Sequence, residues 1–215
     1  MKTEHYALSP WLTIWFYPRT AIKRIAASDS ISMLILLAVL AGISIALNVS
    51  LFMKLGDRLS LPFVILISVM TGSFGGIIIL MANGFLLFWT GRWFGGKASV
   101  TDVQSTIAGA SIPISGTLLL LILLLFLYGN EVFSGIRPTI DLNPAASFIL
   151  SRYWLLVTII AVWQVVLFIK GFSEVHGLSI SKSISSTLLG LFTVIMIGAI
   201  VSGFAVSLVF IVSLF

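Results

Sequence analysis

Trp89-Thr-Gly-Arg-Trp-Phe-Gly-Gly-Lys-Ala-Ser-Val-Thr-Asp-Val-Gln-Ser-Thr-Ile-Ala-Gly-Ala-Ser-Ile-Pro113 is a glycine-turned, moderately polar stretch set between two long apolar runs. The runs, at about 61–90 and 111–128, show no polar face. An apolar helix of about 20 residues spans the hydrocarbon of a bilayer, so the stretch between them is where a membrane chain meets water. Within it, Gly95-Gly96 reads as a helix stop, and Ser99 with Asp102 has the spacing of a capping box that opens the next helix. Pro113 falls in the first turn of the run that follows.

Composition agrees with a lipid environment. Of 215 residues, 59% are hydrophobic and 9% charged, and the mean hydropathy is +1.18. That leaves too little polar surface to cover a soluble globule. In hydrocarbon all backbone polar groups are satisfied internally, by helices or a closed barrel, and runs without period-two alternation select helices. Working outward, the spans fall at about 31–53, 61–90, 111–128, 148–170 and 188–215, behind a basic segment over 1–30. The predicted fold is an all-α integral membrane protein, a five-transmembrane-helix bundle with N-terminal amphipathic interfacial helices. Trp11 and Trp15 supply an aromatic band there, and Arg19, Lys23 and Arg24 lie at helical spacing with Ile22 and Ile25 on another arc. Such a segment places rings and isoleucines at the acyl boundary and cations at headgroups. No cleavable signal is evident.

Small residues recur every fourth position at Ala38, Gly42, Ala46 and Ser50, and again at Ser68, Gly72 and Gly76; Gly203 lies on a similar track in the last run. One-sided stripes of this kind let membrane helices approach closely. Gly72, Gly75 and Gly76 also mark the expected bending point of the second span. Leu118 to Leu127 holds only Leu, Ile and Phe, which places that span at the periphery. Asp29 or Ser30, and Asn143 before Pro144, read as helix caps. A second polar crossing runs from Gly171 to Thr187 and includes His176-Gly177. Over five spans, eight basic residues fall on the side of the N-terminal segment and of these two crossings, against four on the other. The positive-inside rule then puts the N-terminus in the cytoplasm and the C-terminus outside a cytoplasmic membrane.

The net charge of +5 is spread thinly between the runs, which argues against nucleic acid as a partner. No cysteine is present, both histidines (His5 and His176) lie outside the runs, and all four aspartates sit in or beside loops. No catalytic constellation, metal site or cofactor motif is predicted, and the chain reads as a non-enzyme. The intramembrane polar candidates are Asn48, Asn83 and Gln164, residues that more often link helices than bind ligands. A cleft lined by these three would suit the alternative of a small transport or permeation unit.

Trp11 through Pro18-Arg19 to Ile25, Phe94-Gly-Gly-Lys97-Ala-Ser99 leading to Ala110-Ser-Ile-Pro113, and Trp163 through Gly171 to His176-Gly177-Leu-Ser occur in an order that resembles the YIP domain family, the Ypt/Rab-interacting membrane proteins, in its prokaryotic form. The resemblance covers nearly the whole chain and implies five helical spans with a cytoplasmic N-terminal region. The eukaryotic branch has a long cytosolic N-terminal region and an Asp-Leu-Tyr-Gly-Pro motif, both lacking here, so a Rab partner is not carried over. For a prokaryotic member it implies a scaffold or accessory protein that assists other membrane proteins, an exporter for instance, or modulates the bilayer. The lipid bilayer and unidentified membrane proteins are the expected partners, with room for homo-oligomers.

Overall fold

The computed structural model describes residues 30–212, with side chains as far as Met196, together with Thr13, Ile14 and Ile25. The interfacial candidates Trp11, Trp15, Arg19, Lys23 and Arg24 lie outside the described residues. All regular structure among the described residues is helical: α1 (Ile31–Phe52), α2 (Leu61–Trp93), α3 (Val100–Ala110), α4 (Ile112–Tyr128), the single turn α5 (Pro138–Asp141), α6 (Pro144–His176) and α7 (Ile180–Val212). Among the described residues, 3-10 turns at Leu55–Asp57 and Gly129–Phe133 sit in the connections. Four helical stretches among the described residues are long and apolar enough to cross a membrane: α1, α2, Val100–Phe133 and α6.

Local signals set the helix ends. Ser30 Oγ accepts from Met33 N–H and opens α1. Asn143 Oδ1 accepts from Ala145 and Ala146 N–H at 3.0 and 3.3 Å, with Pro144 next in the first turn of α6. Both arrangements satisfy donors that a helix start leaves open.

α1 and α2 form a tight antiparallel hairpin whose backbones approach closely at Gly42, Gly72 and Gly76. A Cβ on Gly72 would lie 2.6 Å from Ile43 Cα, one on Gly42 would meet Gly72 O, and one on Gly76 would meet Ala38 O. Ser50 and Ser68 share a hydrogen bond of 2.8 Å farther along the seam. Ala46 lies half-buried on α1 beside this seam. α2 is helical without a break through Gly72, Gly75 and Gly76. The glycines expected to weaken it therefore serve close packing at two positions, while Gly75 faces open space.

The α2 stripe continues beyond its predicted end. Val64, Ser68, Gly72, Gly76, Leu80 and Gly84 are all buried, one every fourth residue. Each step of four residues advances about 40° around a helix, so from Gly72 to Gly84 the stripe turns roughly 120°. It faces α1 at Gly72 and α3 at Gly84, where an added Cβ would strike the Gln104 side chain. α2 thus packs against α1, α3 and α7, while α4 and α6 pack on α1, α3 and each other.

α4 has two characters. Leu121 and Leu124 are buried, and Thr117 shares a 2.8 Å hydrogen bond with Ser44 of α1, whose hydroxyl also reaches Ile114 O. Leu119, Ile122, Leu123 and Phe126 are exposed along the other side. The run expected at the periphery therefore contributes one face to the core. Ile25, expected against acyl chains, is buried with Ile14 in a cluster that includes Leu37, Leu80 and Leu167.

Candidate functional site

The two polar crossings meet at one end of the bundle and close on each other. α2 ends in the turn Phe94-Gly95-Gly96, with Gly95 N–H donating to Arg92 O and Gly96 N–H to Gly91 O, both at 2.9 Å. Gly95 has φ +90, a conformation that strains residues carrying a Cβ. Ser99 then opens α3 with a complete capping box: Asp102 N–H donates to Ser99 Oγ at 3.1 Å, and Ser99 N–H to Asp102 Oδ2 at 2.8 Å. α3 is drawn inward. Val103, Ser105, Thr106, Ala108, Gly109 and Ala110 are buried, so this helix packs between α2 and α6 and offers little surface. Ser111 and Pro113, both buried, carry the chain directly into α4.

The second crossing is mostly helix. α6 continues past Lys170 to His176, turns at Gly177 in the left-handed region (φ +65), and α7 begins at Ile180. Leu178 N–H donates to Ser173 O at 3.0 Å, and Ser173 Oγ donates to Leu178 O at 2.7 Å, which fixes the turn.

His176 joins the crossings. Its carbonyl accepts from Lys97 N–H at 3.1 Å, and its ring is 4.4 Å from Phe172, centroid to centroid. A Cβ on Gly91 or Gly96 would run into the imidazole, so only glycine leaves room for it at either position. The side chain is 1% exposed, and neither ring nitrogen has a hydrogen-bond partner. At about 33 residues, roughly 50 Å, α6 exceeds the ~30 Å hydrocarbon thickness. His176 is the last residue of α6, at the turn into the polar crossing. Burial pushes its pKa down to about 4; Asp102 opposes the shift and Arg92 adds to it. The imidazole is therefore neutral at ordinary pH and acts as a shaped plug. Around this clasp Arg92, Trp93, Gly95, Lys97 and Ser99 are exposed.

The crossing residues singled out in the sequence, Gly95, Gly96, Lys97, Ser99, His176 and Gly177, are thus gathered at one place. Gly91 and Phe172 belong there too and were missed, although Gly91 lies seven residues, or two turns, after Gly84. The intramembrane amides are not gathered. Asn48 donates to Ser44 O and accepts from the Tyr153 hydroxyl, both at 2.8 Å, and so links α1 to α6. Asn83 and Gln164 instead line a separate cavity between α6 and α7. The three-amide cleft required for a permeation unit is not assembled. Gly203 lies in α7 beyond the described side chains.

Long apolar helices in close backbone contact, joined by polar crossings that lock at one end, define a multi-pass helical membrane protein. The chain belongs to the Yip1 domain family, whose model matches residues 12–212. Comparisons with curated proteins and with solved structures give no match.

Proposed function

We propose that this Yip1 domain protein is a non-enzymatic scaffold or accessory protein that holds other membrane proteins against the rim of its clasp. The observation that carries the reading is the docking of the two crossings on each other, which leaves Arg92, Trp93, Lys97 and Ser99 exposed around it. An exposed aromatic between cations is a composition suited to protein contacts. The stripes at Gly42, Gly72 and Gly76 are used up within the α1–α2 hairpin, so they are not the partner surface. Neither His176 nitrogen has a partner to activate, so the buried imidazole is not part of a nucleophile–base pair.

In this reading α7 is a fifth span and residues 1–30 form amphipathic helices on the membrane surface. The clasp and N-terminus face the cytoplasm and the C-terminus lies outside. The basic-residue bias supports the orientation, and the 33-residue length of α7 supports the span. The chain contains no cysteine, so single cysteines report topology directly. At Lys97 one should be shielded from impermeant thiol reagents added to intact cells, and at Thr139 one should label; the reverse pattern overturns the orientation. For the partner, a photocrosslinking residue at Lys97 should capture a defined membrane protein in cells, and one at Ile122 should not. Equal capture at both sites, or solute flux through liposomes of the purified chain, would sink the scaffold reading.

A further inference from the structure

The cavity between α6 and α7 has a volume of about 940 Å³, within the size range of ligand sites. Its back wall is α2 and α3, through Leu87, Ile107 and Ala110. α7 reaches α2 at the far side, where Gly190 sits against Leu87 and Ser186 donates to Thr90 Oγ1 at 3.2 Å. Val165 on α6 and Ile184, Leu188 and Leu191 on α7 line it and are exposed, so the cavity opens sideways between two apolar lips.

Four polar side chains interrupt this surface, of which Thr187 donates to Ser183 O at 2.8 Å. Asn83 and Gln164 face the cavity half-buried, and neither amide has a hydrogen-bond partner among the described residues. An unpaired amide at membrane depth is costly, and a hydrogen-bonding group entering the cavity would satisfy it. Lys170 lines the cavity as well. Its Nζ lies 5.9 Å from the Trp163 ring centroid, and no carboxylate pairs with it among the described residues. Six residues separate Lys170 from Gln164, which places the Gln164 amide about 9 Å deeper along α6.

The order from the end of the bundle inward is a cation, then hydrogen-bonding amides, then hydrocarbon. A phospholipid with an anionic headgroup presents the complementary order: phosphate, ester linkage, acyl chain. We propose that this cavity is a lateral binding site for an anionic phospholipid. Lys170 holds the phosphate, Gln164 and Asn83 donate to the ester carbonyls, and one acyl chain lies between Val165 and Leu188. The site is independent of the clasp rim assigned to protein partners.

The test uses the purified full-length chain in detergent with phosphatidylglycerol carrying a diazirine in one acyl chain. Crosslinks should map to peptides spanning 161–170 and 184–194. Unlabelled phosphatidylglycerol should compete about fivefold better than phosphatidylcholine, the selectivity expected of one lysine near a lipid phosphate. Lys170→Gln should abolish that preference, whereas Lys182→Gln, outside the cavity, should retain it. The double substitution Asn83→Leu with Gln164→Leu should lower labelling by both lipids. Equal competition by the two lipids, or crosslinks spread evenly onto the Ile122–Phe126 face, would overturn the proposal. If Lys170→Gln fails to fold, the competition ratio on the unaltered chain decides the matter alone.

Discussion

At one end of the bundle, Glu131 draws three donors to its carboxylate: Thr139 N–H at 3.0 Å, Thr139 Oγ1 at 2.7 Å and Ile140 N–H at 3.2 Å. Beside it Asp57 accepts from Gly135 N–H at 2.8 Å, and Asn130 donates to Gly56 O at 3.2 Å. At the other end, the ring of His176 fills a notch between Gly91 and Gly96 without a single hydrogen bond from its nitrogens. Both ends close connections that are distant in sequence, by opposite means. The first relies on charge-assisted hydrogen bonds at half-exposed positions, where water can replace a lost partner. The second relies on shape, and close-packed matter has no substitute for a missing or extra atom. The shape-closed end should therefore fail abruptly and the charge-closed end gradually.

Four substitutions test that contrast, each followed by unfolding of the purified chain in mixed micelles. Gly91→Leu should have the largest effect, a loss of about 3 kcal/mol or more, because its side chain must occupy the space of the imidazole. A loss under 1 kcal/mol would mean that the clasp is loose. His176→Leu comes next, and its signature is in pH. The folded imidazole titrates near 4, below its ordinary 6.5, so the unfolded chain binds the proton more readily. Stability from the buried neutral ring is complete above the ordinary value and drains away as pH falls toward about 4. The native chain should lose stability across that window more steeply than the leucine variant, while Arg92 and Asp102 remain beside the notch in both. Parallel curves would remove His176 from the account.

Glu131→Gln keeps size but gives up the charge and part of the acceptor capacity, for an expected loss of about 1–2 kcal/mol. If it equals Gly91→Leu, the two ends are not different in kind. Smallest should be Asp141→Asn. Its pair with Arg137 spans 3.2 Å between partly exposed side chains, and such pairs are worth about 0.5 kcal/mol or less.

The same contrast separates what could be read in the sequence from what could not. Helix ends were legible at Asn143 and Ser99–Asp102, and to within one residue at Asp29 or Ser30, because a cap forms among residues within four positions of each other. The Gly42 and Gly72–Gly76 stripes were legible because a small-residue face needs only periodicity to be seen. Which surface each stripe meets was not. In a soluble helix polarity distinguishes inside from outside, but α4 offers the same leucines and isoleucines to Thr117's neighbours and to lipid. For that reason the inward placement of α3 and the buried face of α4 escaped the reading. So did the separation of Asn48 from Asn83 and Gln164. The contact of His176 with Gly91 and Gly96 joins residues 80 or more positions apart, and no local pattern encodes it.

That separation gives the notch a history as well as a shape. A chain made from its N-terminus exposes Gly91 and Gly96 while the 80 residues up to His176 are still to be added. At the usual pace of synthesis this lasts about 4 to 16 seconds. α3, α4 and α6 are themselves added in that interval, and a product stopped before the end of α6 lacks the ring that fills the notch. The imidazole is thus a late-made part that completes a notch whose glycines were made well before it.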